Sequence, residues 1–226
     1  MNSSRSTYLL MAICAYYAFF LSDRSVAADA LCSETVNVRK SEKTKRRLPS
    51  CPVSVCFGID GGRLTRTQVR LQRNFFRDLL KSLSRRKHVK VAAVEFGAAN
   101  RRLFKLTSDL AEAIEIASNI PFRGDELASV SSSIVYCDSI LRHEEKRSVR
   151  MVLFSDGTNT LGGSPGRRAE VFRTRAEGDI IAISLTDSDN KILKEVTAKN
   201  TRNIFVLDSD EYDPLLRNVT DRLCDV

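Results

Sequence analysis

Residues 53–62 read VSVCFGIDGG, an apolar run that stops abruptly at Asp60 and two glycines. A short apolar run closed by an Asp-Gly turn is the pattern of a buried strand followed by a loop. The same grammar repeats downstream. Residues 66–84 are helical, with Val69, Phe75, Phe76, Leu79, Leu80 and Leu83 along one stripe. Strands follow at 89–96 (VKVAAVEF) and 102–106, then a short helix at 109–118 with Ser108 or Asp109 as its cap. A helix at 129–143 leads to the most apolar strand, 149–154 (VRMVLF), which ends in Ser155-Asp156-Gly157. Helices at 165–176, 189–198 and 210–223 alternate with strands at 180–185 and 203–207. Continuously apolar strands alternating with helices predict a doubly wound α/β domain, its largely parallel central sheet covered by helices on both faces.

The chain has 226 residues, 42% of them apolar and 28% charged, in the range of a globular domain with something added. It has no Trp, and His88 and His143 are the only histidines, which argues against a zinc enzyme or a histidine-based hydrolase. No nucleophile–base pair stands out, and the Gly-rich segment 157–166 lacks the Lys-Ser/Thr of a phosphate loop, so no enzyme is expected. Residues 1–30 read as a signal peptide: Arg5 gives a positive start, 8–21 is apolar, and small residues at 26–28 or 28–30 suit cleavage. The expectation is secretion, with an uncleaved signal anchor as the alternative. Residues 31–50 form a basic arm containing RKSEKTKRR, where Arg46-Arg47 is also a dibasic processing pattern. The domain is then 51–226.

Arg5 and Arg24 cancel Asp23 and Asp29, so the mature chain keeps the net charge of +8. A basic secreted protein attracts sulfated glycans, acidic proteins or lipid head groups, while secretion removes it from nucleic acid. Arg66, Arg70, Arg73 and Arg77 fall on one helix face, opposite the apolar stripe. Arg142, Lys146, Arg147 and Arg150 form a second patch, and both are candidate polyanion sites because guanidinium forks pair with sulfate. A solvated charged face is the competing reading. Asn218-Val219-Thr220 is an N-glycosylation acceptor pattern. Losing Cys14 with the signal leaves five of the six cysteines, an odd number for an oxidising compartment. Cys56 in an apolar strand and Cys137 on a helix read as buried apolar fillers, or as a pair if that helix packs over that strand.

In doubly wound sheets ligands sit at the carboxyl ends of the strands. Asp60 and Asp156 both fall there, with the loop around Asp125 beside them, an oxygen-rich setting that suits Mg²⁺. With VSVCFGIDGG, the Asp156-Gly157 pair after VLFS, the strand DIIAISL and the ending FVLDSDEYDPLLRNVTDRLC, the span from Cys51 to Cys224 resembles the von Willebrand factor type A family. The resemblance implies a metal-ion-dependent adhesion site on the upper sheet edge and roles in adhesion or matrix assembly. It also implies a disulfide joining Cys51 to Cys224. The family's Asp-x-Ser-x-Ser pattern falls on Asp60, Gly62 and Leu64, so both hydroxyls are missing. Its threonine falls on Asp125 and its last aspartate on Asp156. Three clustered carboxylates need a cation or a basic group between them, and Arg63 and Arg123 lie in the same loops. The expectation is an eroded, metal-free site stabilised by arginine, on a secreted domain that binds a protein or sulfated glycan. The alternative is a Mg²⁺-dependent ligand binder with a rearranged site. Arg123-Gly124-Asp125 also spells a tripeptide that integrins read, although here it belongs to a loop of the fold.

Overall fold

Strand β1 (Val53–Asp60) is buried along its whole length, because both of its faces and both of its edges are covered. The computed structural model describes residues 49–121, 123–144, 147–159, 161–186 and 190–225. The signal segment, the arm up to residue 48, Cys32, Arg46-Arg47 and Lys146 lie outside them. After β1 come α1 (Arg66–Leu83), β2 (Lys90–Phe96), β3 (Arg101–Thr107), α2 (Leu110–Ser118), α3 (Val130–Leu141) and β4 (Ser148–Ser155). They are followed by α4 (Pro165–Ala176), β5 (Asp179–Ser184), α5 (Lys191–Val196), β6 (Ile204–Val206) and α6 (Tyr212–Cys224). The strand order is β3-β2-β1-β4-β5-β6, with only the β2–β3 pair antiparallel. The order reverses between β1 and β4, which leaves a crevice between their carboxyl ends. Asp60 and Asp156 flank that crevice.

Alternation along β1 divides the core. Val53, Val55, Phe57 and Ile59 face a cluster with Phe75, Phe76, Leu79 and Leu80 of α1 and Val219 of α6. Cys56 faces the other side, with Ile134 and Cys137 of α3, Met151 and Leu153 of β4 and Phe172 of α4. The Phe57 and Phe76 rings pack at 5.0 Å between centroids. Each such buried side chain contributes about 2–3 kcal/mol of transfer free energy.

The disulfide Cys51–Cys224 joins the ends of the domain, as the resemblance implied. Cys56 and Cys137 are not separate apolar fillers: α3 packs over β1, and they form a second disulfide. Loops of 173 and 81 residues are closed by the two bridges, each a constraint of about 4–5 kcal/mol in the chain-entropy model. Element ends differ from the sequence reading where caps intervene. Ser129 accepts from the Ser132 amide, so α3 starts at Val130. Asn190 caps α5, which ends early because Ala198 and Lys199 turn to φ of 54° and 63°. No helix among the described residues is long and apolar enough to cross a membrane.

Candidate functional site

Asp60 ends β1, where its side chain is only 3% exposed. Its backbone is gripped by Gln72 of α1: the Gln72 Nε2 donates to the Asp60 carbonyl (2.9 Å), and the Asp60 amide donates to Gln72 Oε1 (3.2 Å). The carboxylate turns back onto the chain, where Oδ1 accepts from the Gly62 amide (2.8 Å) and Oδ2 from the Asp156 amide (3.4 Å). Burial, reinforced by the charge of Asp156, pushes the Asp60 carboxyl up to about 7, against the pull of these hydrogen bonds. Asp156 is half-buried, and its own Oδ1 accepts from the Thr158 amide (2.7 Å). Its carbonyl accepts from Asn190 Nδ2 (2.8 Å), beside Gly157. Gly157 holds a φ of +83°, and any side chain there would collide with Asn190.

The two positions where the resemblance calls for hydroxyls behave differently. Gly62 is buried and brings no side-chain oxygen to its place, close to Asp60 Oδ1. Leu64 turns inward and joins the apolar core at 6% exposure.

Asp125 does not join Asp60 and Asp156. Gly124, at a φ of +64°, reverses the chain so that Arg123 Nη2 lies 2.8 Å from Asp125 Oδ2. That oxygen also accepts from the Ala98 amide (3.0 Å), while the Asp125 amide donates to the Gly61 carbonyl (3.0 Å). Arg123 reaches further, to the Ala99 carbonyl (3.0 Å) and to within 3.7 Å of Glu95 Oε2. Arg101 of β3 meets the same Glu95 oxygen at 2.8 Å. Burial holds the Glu95 carboxyl above the usual range even with both guanidinium groups beside it. Arg63 stays in solvent with Glu126 at 3.3 Å and does not serve Asp60. The Arg123-Gly124-Asp125 triplet is therefore closed on itself, with both charged ends engaged.

Glu95 and Gln72 were not singled out from the sequence, though each carried a signal. Glu95 is an acid inside an apolar strand, and a charge there requires a partner. Gln72 sits on the apolar stripe of α1, three residues from both Val69 and Phe75. Arg73 follows it and lines a cavity of about 20 Å³, roughly one water's worth, with Asp60 and Glu95.

A cation in the family's arrangement finds a poor donor set here. Both Asp60 oxygens already accept from amides, the hydroxyl positions are Gly62 and Leu64, and the third carboxylate is paired with Arg123. Among the described residues no three His, Cys, Asp or Glu side chains converge as a metal cluster.

The four-arginine stripe on α1 is also divided. Arg66 and Arg70 are exposed, Arg73 is half-buried, and no carboxylate among the described residues is within ion-pair distance of these three. Arg77 instead holds Asp78 through two bonds of 3.0 and 3.1 Å, and Tyr212 of α6 and Lys81 bind the same carboxylate. Burial pushes the Asp78 carboxyl up, but these three partners outweigh it and hold it at about 2. In the second patch, Arg142 lies 3.8 Å from Asp138, and Arg147 lies 3.9 Å from Glu144. Arg150 donates to the Asp225 carbonyl (3.2 Å). Asn218 is exposed on α6, while the Thr220 hydroxyl is buried and donates to the Leu216 carbonyl (2.7 Å).

The same fold appears in proximal thread matrix protein 1 of the mussel byssus, in a structure with a zinc-occupied MIDAS motif. There the TM-score is 0.68 at 15% identity, over 79% of this chain and 47% of that one. The vWF domain of the type V pili tip protein Mfa5 from Porphyromonas gingivalis matches with a TM-score of 0.65 at 11% identity, over 77% and 95%. The fold is that of a von Willebrand factor type A domain. The pilus adhesin SpaC from Lactobacillus rhamnosus GG shares this type A fold, with a TM-score of 0.63 at 13% identity, over 77% and 30%. These neighbours include adhesion and matrix proteins, and at such identities the likeness is one of fold. This chain spans about half the length of the mussel protein. No family model matches the sequence, and none of the curated proteins does.

Proposed function

We propose that this chain is a secreted adhesion or extracellular-matrix interaction domain that contacts a protein or sulfated glycan directly, without a bridging cation and without catalysis. One observation carries the reading: the carboxylates of the upper edge are already satisfied by backbone amides and by Arg123, while Arg66, Arg70 and Arg73 have no acidic partner among the described residues. Binding energy toward an anionic partner then comes from guanidinium groups rather than from a metal. Two disulfides and adhesion-related structural neighbours support an extracellular setting.

Retention of the full chain on a heparin column tests this. Retention is expected to weaken steeply with salt, to persist in EDTA, and to shift to lower salt when Arg66, Arg70 and Arg73 are changed together to Ala. Unchanged retention of that triple variant sinks the role given to α1. A second reading, a Mg²⁺-dependent ligand binder, draws on Asp60 and Asp156 standing at one sheet edge; it requires partner binding to be lost in EDTA.

A further inference from the structure

The seam between α3 and α4 opens toward the upper edge into a groove of about 360 Å³, within the size range of small-ligand sites. One wall is the outward face of α3, where Ser132, Val135, Tyr136 and Ser139 follow each other at helical spacing. Arg168 of α4 stands on the opposite wall, and Gly163 forms the lip. Val135 is 47% exposed, one of few large apolar side chains so placed among the described residues. Arg168 is exposed and has no carboxylate within ion-pair reach among the described residues.

These groups divide the labour of recognising an acidic sugar. Val135 and the body of Tyr136 offer an apolar strip for the C–H face of a pyranose ring. The Ser132 and Ser139 oxygens, each already donating its proton to the protein, retain acceptor capacity for sugar hydroxyls. Arg168 supplies a charge-assisted fork for a sulfate or carboxylate. An apolar peptide laid here would bury Arg168 without a partner, and a bare anion would leave the apolar strip unused.

We propose that this groove binds one sulfated or uronic sugar unit of a glycan chain. The site is separate from the α1 arginines, and the inference rests on the glycan-binding reading above.

The test is calorimetric titration of the full chain with a heparin tetrasaccharide. Arg168→Ala is expected to weaken binding about tenfold, the loss of one charge-assisted contact. Gly163→Trp adds bulk at the lip and is expected to weaken binding at least as much as Arg168→Ala; a Cβ at Gly163 meets nothing within 4 Å. The α1 triple variant is expected to weaken tetrasaccharide binding by a factor of its own, and combining it with Arg168→Ala is expected to multiply the two losses, because the α1 arginines lie outside this groove. If Arg168→Ala and Gly163→Trp bind like the parent while the triple variant does not, this site is wrong and the glycan-binding reading stands. Displacement of the tetrasaccharide by an equal concentration of inorganic sulfate also overturns the site, because it reduces the contact to anion pairing. Absence of tetrasaccharide binding by the parent overturns the site, and absence of heparin-column retention as well removes the glycan reading with it.

Discussion

On the β1–β4 side of the upper edge, Asp60 is buried against two backbone amides with another carboxylate nearby. On the β2 side, buried Glu95 lies against the guanidinium groups of Arg101 and Arg123, and half-buried Asp125 pairs with Arg123. Both sides face the same problem, a carboxylate removed from water, and they solve it differently. Where no cation is at hand, the Asp60 carboxyl is pushed up to about 7 and is neutralised in part by a proton. Where Arg101 and Arg123 are at hand, the charge is paired instead. Asp125 is thus held by Arg123 and by the Ala98 amide rather than beside Asp60 and Asp156.

The comparison breaks at Arg123. Its removal leaves Asp125 unpaired and Glu95 with only Arg101, and Arg123→Ala should cost about 3 kcal/mol in urea denaturation. A loss below about 1 kcal/mol would mean that the paired side is held by the backbone turn at Gly124 rather than by charge.

Asp60 sharpens the other side. Its folded carboxyl titrates near 7, against 3.8 for the ordinary group. The native state therefore holds more protons than the unfolded chain between those values, and stability falls as pH rises through that window. Asp60→Asn cannot ionise, so it should gain about 4 kcal/mol over the parent at pH values above 7 and nothing at pH values near 4. Thermal unfolding at the two ends of the window reads this directly. Equal differences at both ends would show that Asp60 stays ionised throughout, its charge met by the amides alone.

Much of this edge was legible in the sequence. The run 53–62 and the Asp-Gly at 156–157 placed both aspartates at strand ends, and alternation of elements gave the sheet. The resemblance implied that Gly62 and Leu64 stand where hydroxyls are called for. What the pattern could not show were contacts made across the sheet. Arg77 lies at the right spacing for a four-arginine face, but the stripe is cut by Asp78 and by Tyr212, which arrives from α6 at a separation of 134 residues. The pairing of Glu95 with Arg123 depends on how the β2 end meets the loop before α3, and helical or strand periodicity carries no record of that. Cys56 and Cys137 likewise read either as two buried fillers or as a pair, and it is the packing of α3 over β1 that decides for the pair.

With its carboxylates held by backbone amides, the crevice between β1 and β4 is expected to take up no divalent cation. Calorimetric titration of the full chain with Mg²⁺ and Mn²⁺ through the millimolar range measures this without reference to any partner. The prediction is no saturable heat and no shift in thermal unfolding, for the parent and for Asp156→Ala alike. Saturable one-to-one binding by the parent that disappears in Asp156→Ala would contradict the account and restore the metal-bridged reading.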